Sequence, residues 1–502
     1  MTPTAVQTAI SPAEEISFAM PKRAQLSRLA RQGVAWSSVL LFGKYMLSIV
    51  STAVLARLLS PGDYGLLAMV ATITVLAQAI SDFGLSWATV PRENLQRNQI
   101  DALFWINCIF GVFLTVVCCL AAPSAARFYH RSELRNIICA ASGTLFLSAV
   151  AVQPNALLLR QMKLKELNLC GLYSLTISAA VTIVVAQLGY GYWALVVQLL
   201  LQQVIVTALS FPMSGYFPRL PQHLANLGTL LTFGGYATLY GIVNYFARNL
   251  DNVLVGRFWG PVALGYYSRA YFLMTLPGMI VIGIFSGTLI PAMASLRKEP
   301  ERMEAVYLRA VRLITVLGCS LAVGLAVAAP EVVQIVYGSR WIAVTPILLW
   351  LSAASILQPI QNTSQWLYIV AGRGRGMFIM GLFVAGSATL AFALGIRSGP
   401  LGVARAYAIA NTIIAYPILL MGHRVCALPI KKTVDAVIPS LLCALLMGAV
   451  VYLVGTGSAA AGIAVKARLA IKVVSGLAVY AVCLQRFAPS VYSELTHYVF
   501  PR

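Results

Sequence analysis

The chain has 502 residues, of which 59% are hydrophobic and only 10% charged, and its formal net charge is +21. Soluble domains are typically about 45–50% apolar and about 25% charged, so a water-soluble fold of this length is excluded. The cytoplasmic loops of membrane proteins collect Lys and Arg, which accounts for the positive charge without a nucleic-acid partner, and we expect none.

The sequence carries no pattern for metal, cofactor or redox chemistry. Its nine Cys residues include no C-x-x-C pair and no plausible disulfide framework, and only Cys118 and Cys119 are adjacent. Residues 1–32 are polar and basic without the apolar core of a signal peptide, so we expect a cytoplasmic N-terminal segment. We therefore predict no cofactor, no metal site and no catalytic residue.

From Gly33 onward, long apolar runs alternate with short charged loops. A helix needs roughly 20 apolar residues to cross the bilayer, and only helices or closed barrels satisfy their backbone polar groups there. The runs lack strand alternation, so we predict an all-α membrane protein of about 14 transmembrane helices. The predicted spans are 33–58, 65–89, 102–122, 136–158, 168–188, 192–212, 228–256, 264–292, 305–329, 342–370, 377–396, 400–422, 434–455 and 464–484.

The loop charges predict the orientation. With the N-terminus in the cytoplasm, most of the 36 Lys and Arg residues fall in cytoplasmic segments, as the positive-inside rule requires. The seventh, eighth and tenth spans are long enough to be tilted or broken. No loop exceeds about twenty residues, so we expect no soluble domain.

A short motif occurs twice at an offset of 200 residues. Arg57, Pro61 and Gly65 in the first copy correspond to Arg257, Pro261 and Gly265 in the second. Six spans separate the copies, so both have the same orientation. We infer a parallel duplication: two pseudo-symmetric six-helix lobes followed by two extra helices. In transporters built from repeats, substrate sites lie near the repeat interface.

A few charged residues lie inside the predicted spans, where each costs roughly 2.5–3.5 kcal/mol on insertion scales. The cations outnumber the anions: they are Lys44, Arg57, Arg248, Arg269 and Arg405, against Asp82 and Asp251. An excess of buried positive charge favours a water-filled cavity for an anionic substrate. Asp82 and Asp251 are candidates for ion coupling or for pairing inside that cavity.

These charges also have a structural interpretation. Arg57 lies at a helix end, where it can interact with a helix C-terminus or with lipid phosphates, and Arg405 can snorkel to the interface. Arg248 and Asp251 are three residues apart and can neutralise each other. Lys44 and Arg269 have no acidic residue within one helical turn in sequence, although Asp82 can pair with either.

Seven short blocks of the sequence form a recognisable set: Ala56–Met69, Asp82–Ala88, Phe104–Asn107, Asn249–Arg257, Leu264–Tyr271, Pro291–Leu296 and Gly338–Trp341. Together these blocks resemble the Wzx-type polysaccharide flippases, within the MOP exporter superfamily that also holds multidrug (MATE) and lipid II flippases. The resemblance covers about residues 30–430. Asn249-Leu250-Asp251 departs from the family's Gln-Ala-Asp type of sequence but keeps the Asp.

The resemblance implies an inner-membrane protein that flips undecaprenyl-diphosphate-linked oligosaccharide repeat units to the periplasmic leaflet. Such units serve exopolysaccharide, O-antigen or capsule synthesis, and membrane lipids, the polymerase and export proteins are the implied partners. The family's basic cavity implies that Lys44, Arg248 and Arg269 face the diphosphate and acidic sugars. The expected organisation is an N-terminal segment 1–32, lobes 33–212 and 213–422, and two further helices with a tail, 423–502.

Two alternatives differ in what they need from the residues. A cation-coupled multidrug (MATE-like) exporter on the same fold needs acidic cavity residues for cationic cargo, which the excess of cations inside the spans disfavours. A membrane-bound polymerase or ligase needs catalytic residues on a substantial periplasmic loop, and the predicted loops are short.

Overall fold

The protein is described here from a computed structural model that covers residues 23–81, 97–220, 228–297, 299–489 and 491–493. These residues form helices, with no strand among them, so the predicted all-α membrane fold is confirmed. The helices are α1 Arg23–Leu58, α2 Pro61–Ser81, α3 Arg97–Tyr129, α4 Glu133–Arg160, α5 Leu164–Gln187, α6 Tyr192–Ser214, α7 Gly228–Ser295, α8 Pro300–Val327, α9 Ala329–Val336, α10 Val344–Ser355, α11 Gln358–Ala371, α12 Gly374–Gly395, α13 Gly399–Cys426, α14 Ile430–Ala460 and α15 Val465–Phe487.

The described helices account for ten stretches that are long and apolar enough to cross a membrane. Of the three long predicted spans, only the tenth is itself broken, whereas the break in α7 lies between the seventh and eighth spans. Helix α7 covers the seventh and eighth spans and is interrupted at Gly260, whose φ is 78°. The tenth span is divided into α10 and α11, with Ile356 and Leu357 between them. The predicted count of fourteen spans stays a prediction.

Several helices contain proline and continue through it. Pro123 lies inside α3, Pro154 inside α4 and Pro439 inside α14. Proline is tolerated in membrane helices because neighbouring groups satisfy the carbonyls it frees. As a result, α3 extends to Tyr129, beyond the predicted end of the third span at residue 122.

The chain packs as two compact units. The first contains the described residues up to Ser51 together with Val70–Tyr245, and the second contains Thr52–Met69 together with the residues from Phe246 onward. The C-terminal end of α1 and the N-terminal end of α2 thus belong to the second unit. The predicted lobes 33–212 and 213–422 stay a prediction.

In the first unit, α4 is the central helix and packs against α3 and α6, while α5 packs against α6. Phe104 of α3 and Leu157 of α4 share a buried apolar cluster with Tyr216, the second residue after α6. The Tyr216 hydroxyl donates a hydrogen bond of 2.7 Å to Asp101 Oδ1. Burial, and then this bond, raise the pKa of Tyr216 far above its usual value, so Tyr216 remains a donor.

In the second unit, α14 packs between α8 and α15, and α13 packs against α10, α11 and α12. Tyr307 and Cys319 of α8 and Tyr480 of α15 belong to one buried cluster. The Tyr307 hydroxyl bonds to Thr363 Oγ1 of α11 at 3.0 Å. The two C-terminal helices are therefore part of the packed unit.

A buried ion cluster joins the short helix α9 to α15. Glu331 Oε2 accepts a 2.7 Å hydrogen bond from Lys472 Nζ, and Glu331 Oε1 lies 3.2 Å from Arg468 Nε. Lys472 Nζ also donates to the Val327 carbonyl at 3.0 Å. Glu331 and Lys472 are both buried, so each depends on the other for compensation of its charge.

We expect Glu331→Ala to destabilise the protein by about 3–5 kcal/mol, because it leaves a buried Lys472 ammonium without its carboxylate. The measurement is the thermal unfolding of the detergent-purified protein. The control is Glu299→Gln, whose ion-pair partner Arg302 is exposed and whose loss should cost less than about 1 kcal/mol. Equal effects of the two substitutions would contradict the assignment.

Candidate functional site

The structure places the predicted site residues on several helices. Asp82 lies outside the described residues, and Arg248 lies on α7 with its side chain outside the described part. Lys44 belongs to the first unit and Arg57, Asp251, Arg269 and Arg405 to the second.

The Lys44 side chain on α1 extends to Gly171 on α5. A Cβ atom built at Gly171 would lie 3.2 Å from Lys44 Nζ, so the ammonium occupies the space that the missing side chain leaves. Lys44 itself is half-buried. The glycine thus makes room for a cation about eleven residues into a predicted span, at a depth where an ammonium is costly.

Asp251 is buried on α7 and hydrogen-bonded at both oxygens. Its Oδ2 accepts from the Tyr267 hydroxyl at 2.8 Å, and its Oδ1 accepts from the Asn252 N–H at 2.8 Å. Tyr267 lies beyond the break at Gly260. Asp251 therefore joins the two parts of α7 across the break, a role that the sequence analysis did not foresee.

Arg57 and Arg405 are both exposed. The Arg57 guanidinium donates a 3.0 Å hydrogen bond to the Ile335 carbonyl near the C-terminal end of α9, where a cation is favoured by the helix dipole. Arg405 lies 5.6 Å from the centre of the Trp350 ring, within the range of a cation–π contact. The Arg57 contact fits the predicted interaction with a helix C-terminus, the Arg405 contact with Trp350 was not predicted, and neither tests contact with a substrate.

The two copies of the repeated motif contact each other within the second unit. The Gly65 Cα faces the Pro261 carbonyl so closely that a Cβ there would overlap the carbonyl oxygen, and Gly265 faces the Pro61 carbonyl in the same way. The contact is reciprocal, as expected for two equivalent motifs. We call this contact, formed by Gly65, Pro261, Gly265 and Pro61, the glycine crossing.

Local sequence explains how the crossing is built. Pro61 occupies the first position of α2, which its fixed φ favours. Ser60 and Asp63 form reciprocal hydrogen bonds, Ser60 N–H to Asp63 Oδ2 at 2.8 Å and Asp63 N–H to Ser60 Oγ at 3.3 Å, as in a capping box. Gly65 then lies one turn inside the helix, where the lack of a Cβ permits backbone contact.

Arg269 lies one turn beyond Gly265 on α7 and contacts aromatic faces. Its guanidinium carbon is 4.6 Å from the centre of the Tyr64 ring and 5.5 Å from that of Phe272. Arg269 Nε is buried without a hydrogen-bond acceptor among the described residues. This arginine is thus held by π faces rather than by an acceptor at that nitrogen.

Tyr64 also belongs to a group of four aromatic side chains, which we call the aromatic cluster. The fully buried Trp341 is its centre, and its Nε1–H donates to the Ala56 carbonyl at 2.8 Å. The Tyr337 hydroxyl donates to the Arg269 carbonyl at 3.2 Å, and burial raises the pKa of Tyr337 against the opposing field of Arg269. The cluster is Tyr64, Tyr266, Tyr337 and Trp341, with the other three rings 5.4–5.9 Å from Trp341.

The site combines a close helix contact with an arginine held against aromatic rings. A guanidinium can bind a phosphate through paired hydrogen bonds. Among the described residues, no group of three His, Cys, Asp or Glu is placed to hold a metal ion. Arg269 and the repeat were predicted from the sequence, but Tyr64 and Tyr337 were not predicted as partners of the arginine because they are distant from it in sequence.

Solved structures define the class of fold. The chain aligns with the lipid II flippase MurJ in an inward closed conformation with a TM-score of 0.74 at 16% identity, over 91% of this chain and 99% of MurJ. An inward-facing multidrug resistance MATE family transporter of the MOP superfamily aligns with a TM-score of 0.59 at 16% identity, over 78% and 96%. The chain therefore has the same fold as these two membrane transporters.

Sequence comparison then identifies the family. The profile described as "Polysaccharide biosynthesis protein" matches residues 54–346. The chain therefore belongs to this family of polysaccharide biosynthesis proteins. The Bacillus subtilis (strain 168) teichuronic acid biosynthesis protein TuaB is 25% identical over 94% of this chain and 98% of TuaB. The Escherichia coli (strain K12) lipopolysaccharide biosynthesis protein WzxC is 24% identical over 77% and 80%.

A third relative is named as a transport protein. The Rhizobium meliloti (strain 1021) succinoglycan biosynthesis transport protein ExoT is 25% identical over 75% of this chain and 76% of ExoT. Family and fold together identify a multi-span membrane transport protein of polysaccharide biosynthesis, not an enzyme. The predicted family is confirmed, and so is the predicted absence of enzymatic function.

Proposed function

We propose that this protein flips undecaprenyl-diphosphate-linked oligosaccharide repeat units from the cytoplasmic to the periplasmic leaflet of the bacterial inner membrane, with its N-terminus in the cytoplasm. The observation that carries the proposal is the family match combined with intramembrane cations. Relatives named for teichuronic acid, lipopolysaccharide and succinoglycan synthesis differ in their polymers. A shared lipid diphosphate carrier is the chemistry that such cargoes have in common.

The cations supply the proposed contacts with the carrier. Lys44 presents an ammonium at Gly171, and Arg269 presents a guanidinium whose Nε has no acceptor among the described residues. Phosphate oxygens are strong acceptors for both groups. We assign Lys44, Arg248 and Arg269 to the diphosphate and acidic sugars, with Arg57 and Arg405 as further cavity cations, while the isoprenoid tail stays in lipid.

Alternating access supplies the proposed mechanism, and the glycine crossing is its gate. In this proposal the backbone contact at Gly65 and Gly265 is assigned to the closed end of the transport path. The crossing must separate for cargo to leave at that end, so the contact is made and broken in each cycle. Asp82 and Asp251 are assigned to ion coupling or to pairing within the cavity.

A cation-coupled multidrug exporter is the second candidate, since a MATE transporter shares the fold. Such a transporter would need exposed carboxylates for cationic cargo. Asp251 is buried, and each of its oxygens accepts a hydrogen bond within the protein. This favours the flippase.

Deletion of the gene tests the proposal. We expect loss of surface polysaccharide, with intact diphosphate-linked repeat units accumulating in the lipid extract. The wild-type chain should restore the polysaccharide and remove the accumulated precursor. The matched control is the chain with Gly65→Ala, which should be present in the membrane yet fail to restore export. Unchanged polysaccharide together with increased sensitivity to cationic drugs would instead support the exporter.

A further inference from the structure

We propose that Tyr64 and Arg269 form a cation–π latch that holds the glycine crossing closed, and that the anionic head of the cargo opens it by taking Arg269 away from Tyr64. Tyr64 is therefore a positioning residue, which acts on transport through Arg269. The proposal deepens the proposed flippase function, and its second half rests on that function.

Position in the chain connects the latch to the crossing. Tyr64 immediately precedes Gly65 on α2, and Arg269 follows Gly265 by one helical turn on α7. The guanidinium lies 4.6 Å from the centre of the Tyr64 ring. The two side chains thus reach across the same pair of helices whose backbones touch at the glycines, and they can meet only while that contact exists.

The aromatic cluster keeps the latch dry. Tyr64 is 3% exposed, and its ring meets Trp341 edge to face at a centroid distance of 5.4 Å. Trp341 is anchored in turn to the end of α1 through the Ala56 carbonyl. Cation–π contacts strengthen when they are desolvated, so the burial of Tyr64 strengthens its contact with Arg269.

The polar atoms of the latch are incompletely paired. Arg269 Nε and the Tyr64 hydroxyl are both buried without a hydrogen-bond partner among the described residues. Leaving such groups unpaired is unfavourable, and a phosphate would give the guanidinium the acceptors it lacks. The latch is therefore suited to release: Arg269 gains hydrogen bonds when it exchanges an aromatic face for an anion.

Disulfide trapping in membranes measures how often the crossing is closed. A Cβ at Gly62 would lie 3.7 Å from Val262 Cγ2, so side chains at these two positions are in contact and cysteines placed there can be tested for disulfide formation. The parent for the experiment is the full chain with Gly62→Cys and Val262→Cys, and each single cysteine variant is a control that should not form the bond. The rate of oxidation reports closure without any cargo.

In this parent we expect Tyr64→Phe to trap at the same rate, because the π face remains and only an unpaired hydroxyl is lost. Tyr64→Leu and Arg269→Met should each slow trapping about five- to tenfold, and the double variant should be no slower than either. The latch would be overturned if Tyr64→Leu and Arg269→Met trapped at the parent's rate. It would also be overturned if the double variant slowed trapping by the product of the two single effects. The Phe variant separates loss of the latch from misfolding.

Inorganic pyrophosphate tests the exchange. At fixed ionic strength, with sulfate as the comparison anion, pyrophosphate should slow trapping severalfold in the parent and have no effect in Arg269→Met. If pyrophosphate does not slow trapping in the parent, release of the latch by the anionic head is overturned. The latch itself is tested by the Tyr64 and Arg269 variants. Because trapping needs no cargo, its result is independent of whether gene deletion causes lipid-linked sugars to accumulate, so failure of the latch and failure of the flippase function are distinguishable.

Discussion

Replacement of Gly65 by alanine is expected to abolish polysaccharide export, with a loss of at least about tenfold. The added Cβ would overlap the Pro261 carbonyl oxygen, and a backbone carbonyl cannot rotate away as a side chain can. The crossing then cannot close, and a transport cycle that passes through the closed state stops. Surface polymer in a complemented deletion strain is the readout.

Two comparisons make this result specific. Gly62→Ala, three residues earlier on the same helix, should support normal export because its Cβ would lie 3.6 Å from Ser60 Oγ and 3.7 Å from Val262 Cγ2, which are ordinary contacts. Gly265→Ala should match Gly65→Ala, and the double variant should be no worse, since both break one contact. Normal export by Gly65→Ala would refute the gate.

Replacement of Lys44 by alanine is the second large effect we expect. A charge-assisted hydrogen bond contributes about 1.5–3 kcal/mol, so its loss should weaken cargo binding by about 10- to 150-fold. Export should fall accordingly while the protein remains in the membrane. The measurement is polymer yield as the supply of lipid-linked precursor is varied.

Gly171→Ala is a sharper companion to that substitution. Its Cβ would lie 3.2 Å from Lys44 Nζ, so the ammonium must shift by a few tenths of an ångström while keeping its charge. We expect a partial loss of export, smaller than that of Lys44→Ala. Lys466→Ala, at an exposed position on α15, is the charge-matched control and should export normally. Full export by Lys44→Ala would show that Lys44 does not contribute to cargo binding.

Hydropathy predicted the helical fold well because each span must be apolar along about twenty residues. It predicted helix ends less well. Cutting spans at proline placed the end of the third span before Pro123, whereas α3 continues through it. The sequence signal for a helix end is weaker in a membrane, where packing satisfies the backbone that proline frees.

The site could be predicted only in part. The repeat was visible from Pro61 and Gly65 against Pro261 and Gly265, but a repeat in sequence does not reveal that its copies touch. Arg269 stood out because its charge is costly in a span. Its aromatic partner Tyr64 carries no such signal, since a tyrosine in an apolar run is ordinary and the contact joins residues about two hundred positions apart.

The most direct test of the account is transbilayer movement in proteoliposomes. The purified protein is reconstituted with a short undecaprenyl-diphosphate oligosaccharide, and the fraction accessible to an added sugar-modifying enzyme is followed with time. We predict rapid movement with the wild-type chain and Gly62→Ala, and little with Gly65→Ala or Lys44→Ala. Equal movement in all four preparations would contradict the Gly65 gate and the Lys44 contact with cargo. No movement above protein-free vesicles with the wild-type chain would contradict the proposed flippase.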